Sequence, residues 1–185
     1  MGEEASAREW TGRPLLNLGE PPPQRLLLAA FRGRRSGDHC SDQERQYWAS
    51  VSAQNIEIVR RIYEAWNSGD PGLKLFDPNF ELHQGAGIID SAGVFRGHDG
   101  LLRAGEELFS GLRDLSWDPE DFIGAPNNKV VVSFRFRATG RSTGVPVEAA
   151  LVHVWTLRDE LAIRCETYEP PHGLAEALEA VGLRR

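Results

Sequence analysis

Side chains able to move a proton are scattered along this sequence rather than gathered in a motif. His83 is followed by Asp90 within the glycine-rich stretch HQGAGIIDSAG. An imidazole and a carboxylate brought together could do acid–base work, but nearness in sequence is all that links these two. Asp121, after Pro119, and Glu148, in VPVEAALVHVW, are carboxylates that could act as bases if the fold desolvated them. Glu148 follows Gly144-Val145-Pro146 at the start of its strand, which favours a wet carboxylate with no such role. His98 lies in RGHDG beside a helix start, where Asp99 has the character of an N-cap, so a structural role is favoured. No His-x-His or Glu-x-x-His spacing points to a metal. The glycines after His83 lack the following helix and Lys-Ser/Thr of a phosphate loop, and no cofactor is expected. Cys40 and Cys165 fall in a predicted tail and a predicted strand, which predicts neither a disulfide nor a zinc site.

The elements that would position these groups follow from periodicity. Residues 1–50 hold GEPPPQ, RGRRSG and scattered charges without a sustained period, and read as a poorly ordered extension. Order is expected over residues 51–185, beginning near Ser52. Ile56, Val59, Ile62, Tyr63 and Trp66 form one helical stripe, with Ser52 or Asn55 available as a cap. Asn67-Ser68-Gly69 stops that helix, and a short turn, PGLKLF, follows. FELHQ (80–84) alternates as a short strand, and GVFRGHDG turns into a helix over about 99–111. Four strands come next: around 115–123, KVVVSFRFRATG, VPVEAALVHVWTLRD and LAIRCETYE. PPHGLAEALEAVGL reads as a terminal helix. This order predicts an α+β fold with a mostly antiparallel sheet.

The net charge of −6 argues against a nucleic-acid partner. No apolar run approaches the roughly 20 residues of a membrane helix. LLLAAF is too short and ill-flanked for a signal peptide, so no membrane partner and a cytoplasmic location are expected. Arginine-rich, lysine-poor composition, with Lys74 and Lys129 alone, fits a bacterial GC-rich source.

The segments NIEIVRRIYEAWNSGD, DPNFELH, FRGHDGL, VPVEAALVHVWTLRD and LAIRCETYE, in this order and spacing, resemble the SnoaL-like branch of the nuclear transport factor two-like superfamily. The resemblance covers roughly residues 52–183. It implies a cone, in which a curved sheet wraps around N-terminal helices and encloses a pocket. Tyr63 and Trp66 would lie on the helix that closes it, as core or as pocket wall.

The resemblance also orients the strands, since alternate residues share a face. It implies that Val132, Phe134 and Phe136 point inward. On the next strand Glu148, Ala150, Val152, Val154 and Thr156 would point in, with His153 and Trp155 out. On the last, Ile163, Cys165 and Thr167 would point in, with Arg164, Glu166 and Tyr168 out. The expected pocket lining is then Tyr63, Trp66, Leu82, Phe134, Phe136, Val152 and Thr167, small and mostly apolar. The acid–base positions of ketosteroid isomerases fall on Ile62, Leu82 and Val152, which can neither move a proton nor donate a hydrogen bond. The catalytic aspartate of SnoaL-type cyclases falls on Thr167, a poor base, with Glu166 adjacent on the other face. Two functions stay open. One is acid–base chemistry on a small hydrophobic or polyketide-like molecule, carried by Glu148, Asp121 or His83 with Tyr63 orienting it. The other is a non-catalytic ligand-binding or dimerisation domain. Val131, His153, Trp155, Arg164 and Tyr168 on the outer face would make a homodimer interface, as is common among such relatives.

Overall fold

The computed structural model describes residues 42–85 and 92–183. The first helix, α1, spans Asp42–Ser68. It starts ten residues before Ser52, so the expected extension boundary at residue 50 falls inside it, and neither Ser52 nor Asn55 caps it. Residues 42–51, DQERQYWASV, carry no apolar stripe but are rich in Gln, Glu, Arg and Ala, which favour helix without one. The predicted stripe is buried: Val59 and Ile62 are fully enclosed, and Ile56, Tyr63 and Trp66 nearly so. Gly69 ends the helix with φ of 82°, a left-handed conformation that suits glycine. Asn67 then fastens this end to the sheet. Its Nδ2 donates to the Trp117 carbonyl at 2.7 Å, and its Oδ1 accepts from the Trp117 amide at 2.9 Å.

A turn of 3-10 helix over Leu73–Leu75 leads into β1, Phe76–Gln84. β2, Gly93–Arg96, lies back along β1, and α2, Gly97–Gly111, follows at once. GVFR is therefore a strand, too short to show an alternation, where the sequence predicts only a turn. The N-cap of α2 is Arg96, not Asp99, which lies in the first turn. His98 does serve structure, donating from Nε2 to the Phe76 carbonyl at 3.0 Å. The long strands are β3 (Leu112–Ala125), β4 (Lys129–Gly140), β5 (Pro146–Arg158) and β6 (Leu161–Tyr168), and α3 (Gly173–Ala180) closes the described chain.

The six strands form one sheet in the order β2-β1-β6-β5-β4-β3. Only the β1–β6 pair is parallel. The expected α+β, mostly antiparallel architecture is what the chain adopts. Two apolar clusters flank the sheet. The larger joins α1 and α2 to the inner face and contains Phe134, Phe136, Leu151, Trp155 and Cys165. The smaller lies between the outer face and α3, where Ala177, Leu178 and Val181 cover Val131, Val152 and Val154.

The register corrects the orientation of β5. Val132 is paired with His153, Phe134 with Leu151 and Phe136 with Ala149. Directly paired residues share a face, so His153, Leu151 and Trp155 point in with Val132 and Phe134. Across β5–β6 the same holds, with His153 opposite Thr167 and Trp155 opposite Cys165. Glu148, Val152 and Val154 therefore face outward, opposite to expectation. The inward orientation of β4 and of Cys165 and Thr167 on β6 is as expected. Residues 151–155 of β5 are all buried, because α3 covers the outer face as α1 covers the inner one. A strand buried on both faces shows no polar–apolar alternation from which to read its orientation.

Candidate functional site

α1, α2 and the inner face of the sheet enclose a cavity of about 100 Å³. Roughly 10–15 Å³ admits one water, so there is room for a small organic molecule. Leu101, Ala104 and Leu108 of α2 form one wall. Trp66 of α1, Trp117 of β3 and Phe134, Phe136 and Leu151 of the central strands form the others. Polar side chains on the lining are His153, Thr167, Gln84 and Glu169. The Glu169 carboxylate lies close to Gly85, where a Cβ would meet Oε1 at 2.7 Å.

His153 is the most constrained of these. It is 6% exposed and surrounded by rings. The Phe134 centroid lies 4.4 Å away, and Trp155, Tyr63 and Trp66 follow at 5.6, 6.0 and 6.2 Å. Its Nδ1 is 2.8 Å from the Tyr63 hydroxyl. Burial pulls the imidazole pKa down from 6.5 to about 3, so the ring is neutral at physiological pH. Burial likewise pushes the Tyr63 hydroxyl well above its ordinary value, keeping it protonated. Cys165, beside this cluster, is a buried free thiol, raised for the same reason.

The carboxylates and histidine singled out in the sequence are elsewhere. Glu148 is about half exposed on the outer face, where Arg135 Nη1 donates to it at 3.0 Å. It belongs to a surface ladder in which Arg135 also bonds Glu120 and Arg137 bonds Asp118. Asp121 pairs with Ser133 in the sheet and accepts from the Phe122 amide at 3.0 Å, away from the cavity. His83 is 2.9 Å from Glu81 and sits with Glu166 and Tyr168 in an adjoining, more open recess that shares Gln84, Gly85 and Thr167 with the cavity. Asp90, its expected partner, lies outside the described residues. Among the described residues, no three His, Cys, Asp or Glu gather as a metal site. The substitution Glu148→Gln should change stability by less than about 0.5 kcal/mol, as exposed positions usually do, and leave cavity binding unchanged. Urea unfolding and a ligand titration check both.

Of the expected lining, Trp66, Leu82, Phe134, Phe136 and Thr167 reach the cavity. Tyr63 stands behind His153 instead, and Val152 lies under α3 on the other side of the sheet. His153 and Trp155, expected on the outer face as dimer contacts, are inside. Tyr168 does face outward, packed against the smaller cluster, and Arg164 is paired with Glu166 at 2.9 Å. His153 escaped notice through the orientation of β5, and Glu169 because it falls just past the last strand. A lone histidine within AALVHVW was the one available signal.

Residues 59–165 match the family model of the SnoaL-like domain. The chain belongs to the SnoaL-like family. Solved structures agree on the fold. TerC, co-crystallised with polyporic acid, is 26% identical over 68% of this chain and 98% of its own, with a TM-score of 0.58. A nuclear transport factor two-like protein of unknown function from Burkholderia pseudomallei is 22% identical over 70% and 96%, with a TM-score of 0.57. A candidate SnoaL-like polyketide cyclase from Jannaschia sp. CCS1 is 19% identical over 80% and 100%, with a TM-score of 0.54. No curated protein matches the chain. No helix among the described residues of this SnoaL-like protein is long and apolar enough to cross a membrane.

Proposed function

We propose that this SnoaL-like domain receives a small, largely apolar molecule in the cavity, with His153 as its polar anchor. The observation that carries this is a neutral, buried imidazole held by Tyr63 at the wall of an otherwise mostly apolar cavity. Apolar walls with a few fixed polar groups are the usual make-up of a small-molecule site. TerC, crystallised with polyporic acid, supports a small organic ligand. Acid–base chemistry on such a ligand falls to the groups on the cavity wall. His153 would hydrogen-bond an oxygen, and the Glu169 carboxylate would accept a proton. None of Glu148, Asp121 and His83 lines the cavity.

Trp66 and Trp117 both line the cavity and make its filling visible. Titration with naphthoquinone should quench tryptophan fluorescence saturably in the wild type. In Ala104→Phe, which puts a ring into the space, quenching should weaken by about tenfold or more. Quenching that rises linearly and equally in both proteins would mean that nothing enters the cavity.

A further inference from the structure

The Tyr63 hydroxyl is fully buried, and among the described residues the acceptor within its reach is His153 Nδ1, 2.8 Å away. A buried O–H left without an acceptor is costly, so the hydroxyl must donate to that nitrogen. If Nδ1 instead carried the proton of the neutral ring, two hydrogens would compete for one contact and the Tyr63 hydrogen would be orphaned. Trp155 reinforces this direction. The two rings meet edge to face with centroids 6.2 Å apart, and the indole N–H opposes part of the Tyr63 hydroxyl's upward shift. An indole N–H can only donate, so it favours the lone-pair side of Tyr63 and leaves the tyrosine hydrogen aimed at His153.

The consequence appears at the other end of the imidazole. Among the described residues Nε2 has no hydrogen-bond partner, and His153 lines the cavity. It is this nitrogen that meets whatever enters. We infer that Tyr63 is a positioning residue that fixes His153 as the Nε2–H tautomer, so that the site takes molecules presenting an acceptor oxygen, such as a ketone or quinone carbonyl, in preference to plain hydrocarbons. This rests on the cavity being a ligand site, as proposed above. A neutral imidazole N–H aimed at a carbonyl polarises it without giving up its proton. The Tyr63 hydroxyl to His153 Nδ1 bond runs in one direction, and it leaves the Nε2–H as the donor offered to the ligand.

Two measurements test this on the full chain. Proton–nitrogen correlation spectra of protein carrying isotope-labelled histidine report the tautomer, with His153 assigned by difference from His153→Phe. The expected spectrum has the proton on Nε2 and none on Nδ1, and Tyr63→Phe, which keeps the ring and removes the hydroxyl, should mix the two forms. A proton on Nδ1 in the wild type overturns the inference. The second measurement compares indane and indanone, which share a skeleton. Indanone should bind roughly fivefold tighter than indane, the scale of one neutral hydrogen bond. The ketone's advantage should vanish in His153→Phe. Equal binding of indane and indanone overturns the ligand class and leaves the cavity as a binding site. Binding of neither, together with unsaturable naphthoquinone quenching, overturns the cavity reading and the ligand class with it, while the tautomer is still decided by the spectra.

Discussion

Lowering the pH from 7.5 to 5 should cost the wild type about 2 kcal/mol of stability through His153 alone, and close to 4 kcal/mol by pH 3. The folded pKa is about 3, against 6.5 for the free side chain, with desolvation as the cause. Above pH 6.5 the ring is neutral folded and unfolded, and there is no linkage. As pH falls below 6.5 the unfolded chain takes up a proton that the native state refuses. Stability is therefore present above the unfolded pKa and lost progressively down to the folded one. His153→Gln removes the titration and keeps an acceptor for Tyr63. Urea unfolding at several pH values should show the wild type losing this increment relative to His153→Gln, the carboxylates being common to both. Parallel stability curves for the two proteins would mean that the imidazole is wet.

Trp155→Ala should destabilise the protein by about 3–5 kcal/mol, the range for removing a large ring from a core. The side chain is fully enclosed and packs on Tyr63, Trp66, Phe76, Phe80 and His153, with ring centroids 5.6–6.4 Å away. The same residue on a solvent-facing or dimer-facing sheet surface would cost the monomer well under 1 kcal/mol. Chemical denaturation with an unchanged m-value measures it. A small loss would return Trp155 and His153 to the outer face and remove the site proposed around them.

Much of this was legible in the sequence, and the exceptions have physical causes. The stripe of Ile56, Val59, Ile62, Tyr63 and Trp66 and the Gly69 stop located α1 and its end, because one face is buried and the terminus needs a left-handed residue. β4 was readable since Arg135 and Arg137 alternate with Phe134 and Phe136, so one face is wet. β5 was not. Between Ala149 and Trp155 it is apolar on both faces except for His153, and an orientation taken from relatives inverted it. That single inversion carried Glu148 inward and His153 outward, and with them the candidate chemistry. The start of α1 was missed for another reason: residues 42–51 are helical by propensity without a stripe, and composition alone did not set them apart from the residues before them.

The two-sided burial of β5 also bears on how the sheet finds its pairing. A strand that is apolar on both faces can slide by one residue and still bury hydrophobic side chains, so its pattern specifies alignment weakly. His153 breaks that degeneracy. One step of slippage would turn the imidazole toward α3 and leave the Tyr63 hydroxyl sealed inside without an acceptor. The histidine thus works as a key in a lock that only one alignment of β5 opens, penalising the shifted sheet rather than strengthening the correct one.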